Sequence, residues 1–279
     1  MKVTALTENR SSGDLCGEHG LSVYIEYQGK KYLLDTGSTG LFLENARKLG
    51  IEIAEVDTAF LSHVHYDHSG GFGVFFEVNK KASVYLQTDA GRGRYYKITD
   101  SDEKYIGIPE GLLEAHRERF VFVDGNLNCG KGIHLLAHHT PGISARAEKA
   151  HMYHKVAGTI KVDNLKHEQS LVFETKNGLV VLNSCCHAGV DVVIEEAQRA
   201  FPGERIAAVI GGFHLMGSDG ADTMAGTRED IASLAERLRQ LGDFMIYTGH
   251  CTGMPAFDIL KQELGNRIVY FSTGTQVIF

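Results

Sequence analysis

Three histidines and an aspartate fall within six positions in the run Leu61-Ser-His63-Val-His65-Tyr-Asp67-His68-Ser-Gly70-Gly71. His63 and His65 are two apart, so an extended backbone points both rings to one side. Asp67 and His68 follow on a sharp turn that Gly70 and Gly71 permit, and they can reach a second point. Imidazole together with carboxylate suits zinc, and the same donors accept manganese or iron. Two such ions about 3.5–4 Å apart would hold a hydroxide between them as a nucleophile. Histidine is in excess over the whole chain, at 14 residues, and metal ligation is the first explanation to test.

A second run, Asp35-Thr36-Gly37-Ser38, reads like the turn on which two aspartates share a proton in acid proteolysis. That chemistry needs a partner turn, and Ser272-Thr273-Gly274 lacks the carboxylate. Asp35 is therefore expected to orient the backbone of the histidine-rich segment or one of its rings. The 5 cysteines are an odd number and Cys185 and Cys186 are adjacent, which suits reduced thiols better than a disulfide framework. Arg92, Arg94 and Lys97 form a basic cluster that could meet a phosphate, although a solvated face is its ordinary role. His151 and His154 lie in an irregular stretch beside Arg146 and Lys155, as an entrance lining or a solvated loop.

These side chains need elements to position them. Residues 2–7 and 21–27 alternate as strands, and 31–35 returns after a turn at Gln28-Gly29-Lys30. Leu41, Ala46 and Leu49 fall at helical spacing with Gly50 as the stop, and residues 57–62 follow as a short apolar strand ending at the histidines. Residues 83–87 and 120–123 read as strands, and the stretch between them lacks steady periodicity; a pocket-shaping insertion is expected at about 90–165. A hairpin follows at 170–175 and 178–183 around Asn177-Gly178. A helix over 190–201, a strand over 206–210, a helix opened by Thr227 with Asp230 as capping partner, and a strand over 243–247 come next. A short helix near 256–264 and strands at 267–271 and 276–279 complete the chain. Hairpin, helix and strand thus recur in both halves, which predicts an α+β, four-layer αββα sandwich forming one domain over residues 1–279.

Composition bounds the rest. With 279 residues, 43% hydrophobic and 23% charged, the chain can bury a substantial core. The net charge of −7 excludes a general nucleic-acid binder and a basic membrane-surface protein. Residues 1–20 mix charged with apolar side chains and no segment is long enough to span a bilayer, so a cytoplasmic location is expected. No heptad or repeat marks an oligomer interface.

His63-x-His65-x-Asp67-His68 followed by Gly70-Gly71 resembles the signature of the metallo-β-lactamase superfamily, and Leu34-Asp35-Thr36-Gly37 resembles its early strand-end motif. Within it the chain is most similar to the branch of dihydropterin-methyl-ribofuranosylaminobenzene-phosphate synthase. That likeness rests on Glu18-His19-Gly20-Leu21-Ser22, the run from Gly178 through Cys185-Cys186-His187 to Gly189, Gly211-Gly212-Phe213-His214-Leu215 and His250-Cys251-Thr252-Gly253.

The resemblance implies the αββα fold, in which strand ends of both sheets meet at one edge and bring His187 and His250 beside the first motif. It assigns His63, His65 and His187 to one metal and Asp67, His68 and His250 to the other. One or two zinc ions are expected, with Mn2+ or Fe2+ accepted by the same ligands. Many superfamily members carry a ligand histidine directly after a Thr-Pro-Gly turn, whereas Thr140-Pro141-Gly142 is followed here by Ile143, which leaves His187 as third ligand and His139 as fallback. The bridging aspartate of many relatives has no clear counterpart, since Ser184-Cys185-Cys186 occupies its region. Cys186 is either a zinc thiolate or a buried free thiol. Asp67 would also orient the nucleophile, and His214 would donate a proton to a leaving group, hold a substrate oxygen, or sit hydrogen-bonded behind the ligands. The expected activity is hydrolysis by a metal-bound water of a phosphoester-bearing small molecule, in the manner of a phosphodiesterase. The alternatives are lactone, thioester or β-lactam hydrolysis, or a catalytically silent metal-bound ligand-binding protein.

Overall fold

In a computed structural model of the chain, described for residues 1–91, 93–217, 220 and 223–279, two seven-stranded sheets stack face to face. Arg92 lies outside the described residues, as does the side chain of Arg94. In spatial order the first sheet runs Gln276–Ile278, Lys2–Thr7, Ser22–Tyr27, Lys30–Leu34, Thr58–Phe60, Ser83–Gln87 and Phe120–Val123. The second runs Ile268–Tyr270, Met245–Thr248, Ile206–Ile210, Gly178–Leu182, Gln169–Thr175, Ile133–Ala137 and Leu127–Gly130. In each, one half is antiparallel, and the other half, from Lys30–Leu34 outward or from Gly178–Leu182 outward, is parallel.

Strand alternation sorts the side chains into layers. Val23 and Ile25 point between the sheets while Tyr24 faces the helices; Val180 and Leu182 point inward while Leu179 and Val181 point outward. Phe60, Phe173 and Phe271 fill the space between the sheets and are buried. Each such ring contributes roughly 1.5–3 kcal/mol by leaving water. Leu41–Lys48 and Phe72–Val78 cover the first sheet with Phe42, Ala46, Phe72 and Phe75. Val190–Ala200, Arg228–Leu241 and Met254–Leu264 cover the second. The αββα sandwich expected from the sequence is the architecture found. Thr227 caps its helix as expected: its Oγ1 accepts from the Asp230 N–H at 3.2 Å, and the Asp230 carboxylate accepts from the Thr227 N–H at 2.8 Å.

Two local expectations change. The hairpin turn is centred on Lys176-Asn177, because Thr175 pairs with Gly178; the glycine opens the return strand at φ 116°, where a Cβ would collide with Arg205 O. Within residues 90–165, Arg94–Ile98, Glu103–Tyr105, Met152–Val156 and Thr159–Val162 form a separate four-stranded sheet, whereas Phe120–Val123, Leu127–Gly130 and Ile133–Ala137 belong to the two large ones. Among the described residues no helix is long and apolar enough to cross a membrane.

Candidate metal centre

The parallel strands of both sheets end at one edge. Asp35 follows Lys30–Leu34, His63 follows Thr58–Phe60, Cys185 and His187 follow Gly178–Leu182, His214 follows Ile206–Ile210 and His250 follows Met245–Thr248. Asp35, Cys186, His214 and His250 all adopt left-handed backbone, with φ between 49° and 59°. Each such residue costs about 1–3 kcal/mol unless its surroundings compensate. Here the compensation is specific: the His250 N–H donates to Glu8 Oε1, and the Cys186 N–H donates to Asn183 Oδ1 at 2.8 Å.

Extended backbone at His65 and the one-turn helix Tyr66–Ser69 divide the first motif into two arms. The rings of His63, His65 and His187 lie with centroids 4.7 Å apart pairwise. Beside them, Asp67 Oδ2 is 3.3 Å from His250 Nε2 and 3.5 Å from His68 Nε2. His63 and His68, 4.1 Å between centroids, join the two groups. Gly70 and Gly71 serve a different purpose from the one expected. Both have helical φ, and it is space that they supply: a Cβ on Gly71 would stand 2.6 Å from Thr36 O, and one on Gly70 would collide with Ser38 O.

Hydrogen bonds fix which ring nitrogen faces inward. Ser62 gives its hydroxyl proton to Asp35 Oδ2 at 2.6 Å, so at 2.8 Å its oxygen accepts from His63 Nδ1, leaving His63 Nε2 as a bare lone pair. His68 Nδ1 donates to Asp35 Oδ2 at 2.9 Å, and His250 Nδ1 donates to Asn9 Oδ1 at 2.8 Å. Asp35 thus orients both backbone and ring, since Oδ1 also accepts from the Ser62 N–H at 2.7 Å. His187 Nδ1 lies 3.2 Å from Glu168 Oε1, off the line of a hydrogen bond, while the N–H groups of His187 and Ala188 donate to the same carboxylate at 2.8 and 2.9 Å.

The consequence is a crowd of acceptors. His68 Nε2 and His250 Nε2 stand 3.1 Å apart with Asp67 Oδ2 against both, and Cys185 Sγ is 3.2 Å from His68 Nε2. Nε2 of His63 and of His65 are buried without a partner. Such lone pairs tolerate one another only when a proton or a metal ion lies between them. On His68 burial opposes the charge, but the carboxylates of Asp67 and Asp35 raise its pKa to about 10, so its Nε2 carries a proton unless a metal ion takes that place. Burial and neighbouring histidines keep His63 and His65 neutral, well below the ordinary histidine range. Burial lowers His250 to about 4 and, with His187, His214 to about 3. Donors of this kind fit zinc, manganese or iron.

Of the histidines expected at the site, His63, His65, His68, His187 and His250 lie in the cluster, and His214 meets His187 edge to face at 4.6 Å between centroids. Cys186 is not: its sulfur packs in the apolar layer under Val190–Ala200 and reaches only Asn183 O. Its neighbour Cys185 is the thiol within 4.8 Å of nitrogen atoms from both groups, next to Cys251 Sγ at 3.3 Å. His139 is exposed, and the Thr140-Pro141-Gly142 turn is pinned to the helix by Glu196, which accepts from His138 Nδ1 at 2.6 Å and from both the N–H and the hydroxyl of Thr140.

Sequence reasoning also passed over His19, whose Nε2 is 3.3 Å from Asp67 Oδ2, and over Asn9, Glu168 and the buried pair Asp163–His167 at 2.9 Å. Glu18-His19-Gly20 was the one available signal among these. A cavity of about 580 Å³ opens on the cluster, with His65, Asp67, Cys185, His187 and His214 on one side and Lys97, Lys104 and Met152 on the other. Ala150 and Met152 line it, and His151 and His154 do not.

Comparison with known proteins agrees with the sandwich fold. A family model for the metallo-beta-lactamase superfamily matches residues 17–145. A protein of Methanocaldococcus jannaschii named 7,8-dihydropterin-6-methyl-4-(beta-D-ribofuranosyl)-aminobenzene-5'-phosphate synthase is 28% identical over 281 residues, covering 94% of this chain and 91% of its own. The crystal structure of a metal-dependent hydrolase of the β-lactamase superfamily is 30% identical, with a TM-score of 0.84 over 100% of this chain and 99% of that one. A diphosphatase of the PhnP family shares the fold at 14% identity, with a TM-score of 0.58 over 100% of this chain and 97% of its own. With the sandwich, the histidine-aspartate motif and the 30%-identical relative all in agreement, the chain belongs to the metallo-β-lactamase superfamily.

Proposed function

We propose that this chain is a metal-dependent hydrolase of a phosphate-bearing small molecule, with cleavage of a phosphodiester as its reaction. The observation that carries the reading is the crowd of buried donor atoms, His63 Nε2, His68 Nε2, His250 Nε2, Asp67 Oδ2 and Cys185 Sγ, with His65 Nε2 buried without a partner beside them, and with Ser62, Asp35 and Asn9 orienting the rings of His63, His68 and His250. In this reading His63, His65 and His187 would hold one metal ion and Asp67, His68 and His250 the other, and Cys185 Sγ is within reach of both sets. When bound, such ions supply Lewis acidity and lower the pKa of water toward about 7.

The residues of the chain do the rest by position. Asp67, fixed between His19, His68 and His250, orients the attacking nucleophile. His214, on the cavity wall beside His187 and kept neutral there by burial, holds an oxygen of the substrate by hydrogen bonding. The small sheet lends Lys97, Lys104 and Met152 to the cavity wall. Hydrolysis as the reaction class is supported by the 30%-identical relative, described as a hydrolase. A phosphate-bearing substrate is supported by the Methanocaldococcus relative, named for a product that carries a 5'-phosphate.

The test is metal content together with turnover of bis(p-nitrophenyl) phosphate by the wild type, His65→Ala and His187→Ala. Bound metal, cleavage of the diester and loss of activity in both variants are expected. Metal bound with the diester untouched would overturn the phosphodiesterase assignment in favour of lactones, thioesters or a binding role, and a protein that takes up no metal would overturn the whole reading.

A further inference from the structure

Lys97 and Lys104 face each other across the small sheet. The strands Arg94–Ile98 and Glu103–Tyr105 are antiparallel and pair Lys97 directly with Lys104, while Lys97 also pairs with Met152 on its other side. All three therefore lie in one row on one face, and all three line the cavity above the candidate metal centre. Like charges directly opposite one another in a sheet destabilise it. Neither ammonium has a carboxylate partner among the described residues, and Lys104 rests 5.2 Å from the centroid of Tyr66, between His65 and Asp67 in the motif. The chain as a whole carries a net charge of −7, so two lysines without a carboxylate partner among the described residues, on the wall of its cavity, run against the general balance.

We propose that Lys97 and Lys104 form a binding site for a second anionic group of the substrate, a phosphate monoester carried at a distance from the group that reacts. The cross-strand repulsion is relieved when a dianion sits between the two ammonium groups, and charge-assisted hydrogen bonds from both then fix the far end of the substrate. The cavity, at about 580 Å³, has room for both groups at once. This assignment rests on the reading of the histidine cluster as the metal centre where the other end of the substrate binds.

The experiment measures calorimetric affinities of metal-loaded protein for butyl phosphate and for a series of alkanediol bisphosphates from ethanediol to hexanediol. In the wild type one or more bisphosphates should bind at least about tenfold more tightly than butyl phosphate. In Lys97→Ala/Lys104→Ala that advantage should vanish, and in Lys97→Arg/Lys104→Arg, which keeps both charges, it should return. Metal content and thermal unfolding of each variant establish that it is folded. No advantage for any bisphosphate in the wild type, or an equal advantage in the alanine variant, would overturn the proposal. The hydrolase reading stands or falls separately, on turnover of bis(p-nitrophenyl) phosphate: bisphosphate preference without turnover keeps the lysine site and removes the hydrolase, and turnover without preference does the reverse.

Discussion

His68 Nδ1 donates to Asp35 Oδ2 at 2.9 Å, and both side chains are wholly buried. Since Asp35 also takes the N–H and the hydroxyl of Ser62, one carboxylate sets the inward nitrogen of His68 directly and that of His63 through Ser62. Replacing it by asparagine should leave the fold and loosen both rings. Asp35→Asn is expected to weaken metal binding by about 10–100-fold, the usual cost of removing a carboxylate behind a ligand histidine. Asp35→Ala should in addition lower stability by about 3–5 kcal/mol, because it strands buried donors. Chelator competition and thermal unfolding check both; unchanged metal affinity in the two variants would remove Asp35 from the account.

Cys185 and Cys186 make opposite predictions although they are neighbours. Cobalt-loaded wild type should show a near-ultraviolet thiolate-to-metal charge-transfer band, which Cys185→Ala abolishes and Cys186→Ala keeps. Persistence of the band in Cys185→Ala would mean that another sulfur, such as that of Cys251, ligates. Cys186→Ala instead removes a buried side chain from the apolar layer and should act on stability alone.

Gly71 tests close approach against backbone freedom. Its φ is −82°, which alanine adopts without strain, so a purely conformational role predicts that Gly71→Ala is neutral or slightly stabilising. The contact with Thr36 O predicts the reverse: a loss of about 1–3 kcal/mol as the motif is pushed away from the 36–39 loop, together with weaker metal binding. Unfolding in denaturant, with and without metal, distinguishes the two.

Glu196 gives the protein an acid-sensitive joint outside the metal centre. Burial alone would raise its pKa, but hydrogen bonds from His138, Thr140 and the backbone lower it from 4.5 to about 2. A carboxylate depressed in this way stabilises the fold fully above its unfolded pKa, and the contribution is lost as pH falls through the folded value. Wild-type stability attributable to Glu196 should therefore decline between about pH 4.5 and 2, and Glu196→Gln should lack that component and be less stable near neutrality. Unfolding free energies of the two proteins across this range decide it; parallel curves would be the contrary result.

The sandwich and the histidine-aspartate motif are legible in local pattern. The hairpins, the capped helix at Thr227 and the outward helices are written in periodicities of two and of 3.6 residues, which act over a few neighbours and survive in one dimension. His63, His65, Asp67 and His68 are legible for the same reason, since four donors within six positions constrain one another locally. Tertiary structure alone decided the partners. Asn9 reaches His250 across 241 positions and Cys185 reaches His68 across 117, and no local pattern records such contacts. It also placed Cys185 among the histidines and Cys186 in the apolar layer beneath the helix. In the small sheet it set Lys104 opposite Lys97, a pairing that depends on register, and register depends on which strand the chain finds beside it.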